Sequence, residues 1–389
     1  MKTSFAPTAL LLGNFVIGTS IMGPSGMLNE LSSDLGVSIR DAGLLITFGA
    51  AALFICSPLS AWLTGRFDRR KFLGSLVLLL ALCNLASAFA PDYATLMAIR
   101  LVMMVVAAPF TPQAAGTVSL IVPVEKRGST IAYVFLGWSL AAAAGLPMVT
   151  IIAGYAGWRT AFLCISALSC IGFLLLIWRL PPRVSGVAVE LKTWVSLGRN
   201  PLVVMLLLIT VLQMSGQFVI FTFMAPLLTR LAEATPAAIA VVFSLYGIFG
   251  FIGNVAATQL VDRWGGYRTS LVFVTVLLIG MSAWAIGAGM LAAMAIGVSI
   301  WGLGFASSNS MQQVRLVGAA PLFAGASVSL NTSVLYVGQA IGSAIGGMLF
   351  VRDMLHTAGY VAVAFVVVAL LVVLMTRRFE TASVAEEGA

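Results

Sequence analysis

The stretch LTGRFDRRK, residues 63–71, lines up without gaps on LVDRWGGYR, residues 260–268. Each copy closes a long apolar run, each contains an Arg-aromatic pair (Arg66-Phe67 and Arg263-Trp264), and each ends in a cation. Self-similarity at this separation marks a repeated structural unit. A second spacing agrees with it: Gly137 and Gly145 in GWSLAAAAG are eight residues apart, as are Gly338 and Gly346 in GQAIGSAIG. The chain reads as two matching halves.

What the halves are made of follows from composition. The 389 residues are 60 % hydrophobic and 9 % charged, whereas a soluble domain carries about a quarter charged residues. Too few polar side chains exist to clothe a soluble core. A helix needs about 20 apolar residues to cross a hydrocarbon core about 30 Å thick, and twelve such runs lie near 6–29, 41–64, 72–90, 95–122, 129–155, 158–179, 201–229, 237–261, 269–288, 290–316, 322–350 and 359–376. Barrel strands would alternate in polarity; Ala362 to Leu374 does not. The expected fold is an all-α membrane protein, with twelve transmembrane helices in two six-helix bundles, 1–180 and 201–376. The polar stretch PPRVSGVAVELKTWVSLGRN, 181–200, is the expected linker and 377–389 a tail.

The formal charge of +8 is a topology signal rather than a nucleic-acid footprint, because the cations sit in short loops between apolar runs. Numbered alternately, the loops put Lys2, Arg66, Arg69, Arg70, Lys71, Lys126, Arg127, Arg179, Arg183, Lys192, Arg199, Arg263, Arg268, Arg315, Arg377 and Arg378 on one side. Only Arg40, Arg159, Arg230 and Arg352 fall on the other. Cation-rich loops are cytoplasmic, so both termini are expected there. The first apolar run is too long for a signal-peptide core and is read as the first helix.

With these motifs in order, the chain resembles the major facilitator superfamily over nearly its whole length. The loop after the second span is similar to that family's Gly-x-x-x-Asp-Arg-x-Gly-Arg-Arg turn; the second copy keeps Asp262, Arg263 and Gly265, while the first has Gly65 in the acid's place and Asp68 in the glycine's. Arg100 is similar to the family's arginine in the fourth span, with Met104 where a glycine is usual. Gly137, Gly145 and Pro147 are similar to the fifth-span motif of proton-driven exporters, interrupted by Leu146. PVEKRGSTIAYVFLG followed by GWRTAFL looks most like twelve-span bacterial drug and sugar exporters. The resemblance implies a monomeric secondary carrier of a bacterial inner membrane, exporting a small molecule by alternating access with proton antiport, and requiring no cofactor or metal. Parallel repeats place the substrate between the bundles near mid-membrane.

Arg100 is the sharpest candidate for function, since a charge inside a span must face a cavity, water or a partner; the alternative is that it snorkels or binds a backbone carbonyl. The acids all lie in loops or near span ends. Coupling candidates are therefore Glu30, Asp41 and Arg100. Arg66, Asp68, Arg69, Asp262 and Arg263 are candidates for a latch that braces helix ends through their dipoles, with topology as the plainer role of the cations. For the pocket, side chains three or four apart on one helical face select Thr210, Gln213, Gln217 and Phe221 in span seven, Trp301, Phe305, Ser308 and Gln312 in span ten, and Thr332, Tyr336 and Gln339 in span eleven. Asn14, Met22 and Trp138 complete it from the first half, with Arg100. Such a wall suits small hydrophobic or neutral polar molecules; the same amides also serve to join membrane helices.

Enzyme chemistry finds no footing. His356, the single histidine, lies in a loop, so Ser25 in GPSG has no histidine base beside it. Cys56, Cys83, Cys164 and Cys170 lack metal or redox spacing, and no phosphate-binding Gly-Lys-Ser/Thr loop occurs. The rivals to an exporter are a channel or receptor, and an importer or uniporter.

Overall fold

The computed structural model describes residues 5–64, 67–185, 197–320 and 324–387. Among them every regular element is helical. The first half holds α1 (Ala6–Gly26), α2 (Leu28–Leu35), α3 (Ile39–Thr64), α4 (Arg69–Ala88), α5 (Tyr93–Ala107), α6 (Phe110–Ile121), α7 (Val124–Leu140), a π-helical turn at Ala141–Gly145, α8 (Leu146–Ala156) and α9 (Trp158–Arg179). The second holds α10 (Pro201–Phe221), α11 (Met224–Ala232), α12 (Pro236–Ile286), α13 (Leu291–Ala319), α14 (Ala324–Val351) and α15 (Leu355–Glu387).

Eleven continuous helical stretches are long and apolar enough to cross a membrane. One of them, Pro236–Ile286, has 51 residues and would measure about 77 Å if straight, far more than one bilayer. Gly265, at φ 73, breaks it where only glycine turns without strain. Split there it supplies two spans, and the total is twelve. The loop expected between the eighth and ninth runs is thus nearly all helix. The linker expected at 181–200 falls largely outside the described residues, which omit 186–196, and Arg66 also lies outside them.

Other boundaries move for local reasons. The run 6–29 ends as a membrane helix at Gly26, and 201–229 splits after Phe221. After each comes a short helix, α2 or α11, with its apolar side chains on one face: Leu28 and Leu31 are buried in α2, and Met224, Ala225, Leu227 and Leu228 in α11. The fourth run breaks between α5 and α6 at Pro109, which has no N–H to offer the preceding turn. Arg315, expected in a loop, is instead 5 % exposed inside α13; Ser270 and Thr376 accept its guanidinium hydrogens and Tyr267 lies beneath it.

The duplication is visible in packing. A methyl added at Gly338 or Gly346 would fall within 2.5 Å of the Val211 or Val219 carbonyl of α10, and one at Gly137 would meet α1 at Leu11 and Asn14. The same spacing therefore lets the fifth span press on the first and the eleventh on the seventh, as small residues do in membranes.

The halves meet at the end that carries α2 and α11. One apolar cluster there runs through both, from Met27, Leu45 and Leu146 to Phe223, Phe243 and Tyr246. Asn29 donates to Thr229 at 2.9 Å and Thr47 to Ser343 at 2.8 Å across the seam. Gly247 of α12 lies against the Ala142–Ala143 backbone of the π turn so closely that no side chain fits between. Toward the cation-rich end the halves pack separately: Leu73, Leu76, Val118 and Leu176 form a cluster of the first half, while in the second half the shared cluster runs on through Val203 and Leu316 beside a small group of Ala257, Phe273 and Met311. Tyr336 of α14 joins the first half's cluster from the second half, and Leu335 packs against it.

Candidate transport site

In α1 the ring of Pro24 replaces the N–H that would have satisfied the Ser20 carbonyl four residues earlier. Arg100 fills that vacancy. Its Nη1 reaches Ser20 O at 2.6 Å, its Nη2 reaches Ile21 O at 2.6 Å, and its Nε reaches Leu45 O at 3.4 Å. The guanidinium is 3 % exposed and is held by carbonyl dipoles from α1 and α3 rather than by a carboxylate. Asn84 donates to the Ser20 hydroxyl at 3.1 Å, so the same turn is gripped from α4 as well.

Asn14 and Trp138 form a second network. Asn14 Nδ2 donates to Val134 O at 3.0 Å, its Oδ1 accepts from Thr111 at 2.9 Å, and Trp138 Nε1 donates to the Thr111 hydroxyl at 3.2 Å. The amide of Asn14 is thereby engaged within the first bundle, joining α1, α6 and α7. Met22, half-buried, packs on the apolar cluster shared by both halves.

On α10, Thr210, Gln213, Gln217 and Phe221 are all buried. Thr210 donates to Asn331 Oδ1 at 2.7 Å. Gln217 Oε1 accepts the Trp301 indole N–H at 2.8 Å, while the Nε2 atoms of Gln213 and Gln217 are buried without a hydrogen-bond partner among the described residues. An unmet buried donor costs about 1–3 kcal/mol. Rings lie beside Gln217. Phe221 lies edge-on to Phe243 and Trp301, with centroids 5.7 and 6.4 Å away, and Tyr246 stacks on Phe305 at 5.5 Å. Tyr246, Phe243 and Asn331 were not singled out from the sequence, although Phe243 and Tyr246 lie three residues apart in one span and share a helical face. Gln312 is tied to Ser270 at 3.1 Å, away from this group; Gln339 and Tyr336 are buried on α14.

The acids fall at the two ends. Asp68 caps α4, accepting from Lys71 N at 2.9 Å, and also accepts the Arg183 N–H at 2.5 Å. The buried Arg69 donates its backbone N–H to Val184 O at 2.8 Å, so this turn is fastened to the start of the linker. Asp262 and Arg263 are exposed. At the opposite end Asp34 binds both Trp158 and Arg159, and these bonds hold its carboxyl below the usual range. Glu30 is partly buried beside it, and loss of hydration raises its pKa. Both line an open depression of about 690 Å³ with Asn29 and Ser33. Asp41 caps the start of α3 through Ser38, its Oδ2 accepting at 2.7 Å.

A twelve-span duplicated fold with a polar and aromatic seam now meets its relatives. Residues 10–335 match the family model of the Major Facilitator Superfamily. The chain belongs to the Major Facilitator Superfamily. It is 31 % identical over 379 residues to the inner membrane transport protein YdhP of Escherichia coli O157:H7, covering 97 % of each chain. A probable sugar efflux transporter of Mannheimia succiniciproducens is 25 % identical, over 94 % of this chain and 92 % of that one. In fold, a D-xylose-proton symporter superposes with a TM-score of 0.78 at 15 % identity, over 95 % and 97 % of the two chains. The protein is a multi-pass membrane transporter and not an enzyme.

Proposed function

We propose that this superfamily member is an exporter of small neutral polar or hydrophobic molecules, seated in a bacterial inner membrane with both termini cytoplasmic and working as a monomer. The observation that carries the reading is the asymmetric seam: the halves share one apolar cluster at the α2–α11 end and pack separately at the cation-rich end. With cation-rich loops inside, the end closed by the shared cluster is the exterior one. The probable sugar efflux relative favours outward transport, and the absence of an acid from the middle of every apolar run favours uncharged cargo.

Proton antiport is part of the proposal, with Glu30 as the coupling group. Gly154 of α8 lies between Glu30 and Pro236 of α12: a methyl there would stand 3.8 Å from the Glu30 carboxylate and overlap the proline ring. Closing the seam thus places that carboxylate where it loses hydration, and a proton relieves the cost. Solute supplied outside inside-out vesicles tests both parts. Uptake driven by an acidic vesicle lumen and abolished in Glu30→Gln supports them; gradient-independent counterflow would remove the antiport and leave a facilitator.

A further inference from the structure

The orientation of the Gln217 amide is fixed by its neighbour. An indole nitrogen only donates, so the Trp301 N–H at 2.8 Å identifies the amide atom facing it as Oε1. Nε2 must then point elsewhere. It is buried and meets no acceptor among the described residues, and the same holds for Gln213 Nε2 one turn earlier on the same face of α10. Both side chains are 1 % exposed.

These are two donors side by side with nothing yet to receive them. Of the helices around them, α10, α13 and α14 contain no Asp or Glu, and the one acid of α12, Asp262, is exposed. A desolvated cation placed here would find no counter-charge, whereas an oxygen-rich neutral solute would satisfy both amides. Phe221, Tyr246, Trp301 and Phe305 form a ring cluster beside Gln217, apolar matter suited to the C–H face of a solute ring.

We propose that Gln213 and Gln217 act as paired donors that read hydroxyl or carbonyl oxygens of the transported solute, so that the chain selects neutral, sugar- or polyol-like molecules over lipophilic cations. The inference rests on the carrier reading above and adds a substrate class to it. Trp301 is a positioning residue, holding the Gln217 amide so that its donor faces the solute.

The test uses the full chain in proteoliposomes, with counterflow of radiolabelled methyl glucoside, xylitol and tetraphenylphosphonium. Gln217→Glu keeps an oxygen for the Trp301 N–H and, when ionised, offers no donor. The wild type is expected to exchange a neutral solute and not the cation. At about pH 8, Gln217→Glu is expected to lower that exchange roughly tenfold or more. Acidification should restore it, because the protonated carboxyl donates again. Trp301→Phe should raise KM more than it lowers kcat, and the thermal unfolding of each variant checks its fold.

Exchange of the cation alone or of none of the three, or a Gln217→Glu variant equal to wild type at every pH, overturns the donor reading. Cation counterflow would do so while leaving the carrier itself in place. Flux without saturation or counterflow overturns the carrier reading, and the substrate class with it.

Discussion

Arg100 and Ser20 are joined by a hydrogen bond of 2.6 Å, and the carbonyl that accepts it is the one that Pro24 leaves without a donor in α1. The buried charge of the fourth span therefore repairs a break in the first. Arg100→Ala is expected to lower stability by about 2–4 kcal/mol, because two buried carbonyls lose charge-assisted partners. Pro24→Ala restores a backbone donor to Ser20 and should shrink that loss. Thermal unfolding of the four members of the cycle measures the coupling, expected at about 1 kcal/mol or more; strict additivity would show that the two residues act separately.

Across the seam, Asn29 and Thr229 hold the two short helices together. A cysteine at each position joined by a short, reducible thiol cross-linker should arrest transport, and reduction should restore it. Unchanged turnover in the linked protein would mean that this end need not open.

Gly247 admits the π-turn backbone of Ala142 and Ala143 without space for a β-carbon. Gly247→Val should insert into the membrane normally yet fail to close that end. The expected readouts are loss of transport and loss of cross-linking between cysteines at 29 and 229.

Glu30 gives the seam a pH dependence whose sign is set by burial. Its pKa is raised from an ordinary 4.5 by lost hydration, so the closed arrangement binds the proton more tightly than an open, hydrated one. The contribution to closure is complete at and below pH 4.5 and is lost as pH rises through the raised value. Asp34 has the opposite shift, through Trp158 and Arg159, and opposes the trend only at lower pH. Thiol reactivity itself rises with pH, so the readout is the ratio of the two proteins: cross-linking between cysteines at 29 and 229 should fall behind that in the Glu30→Gln background as pH rises through that window.

The two copies of the signature turn should respond differently to mutation. Asp68→Ala removes a helix cap and the tie to Arg183, with an expected cost of about 1 kcal/mol. Asp262 is exposed, so Asp262→Asn should shift stability by less than about 0.5 kcal/mol. Any fall in transport by that variant would then belong to the cycle rather than to folding.

The candidate site was legible only in part. Spacing on one helical face was enough to group Thr210, Gln213, Gln217 and Phe221, since i, i+3 and i+4 neighbours share a face whatever the fold. It carried no record of Tyr246 or Asn331, which come from other spans. Nor could it tell that the Asn14 amide is engaged by Val134 and Thr111 while Gln217 keeps a free donor.

Sequence by itself determined that the chain crosses a membrane, that it is built twice, and which loops share a side, because hydrocarbon excludes unpaired backbone and charge whatever the neighbours are. Tertiary structure alone decided which end of the seam is shut, which carbonyls Arg100 holds, and which amides remain unspent. Those outcomes depend on distances between residues as much as 296 positions apart, as Thr47 and Ser343 are, and a hydrogen bond's partner is chosen by proximity rather than by residue type.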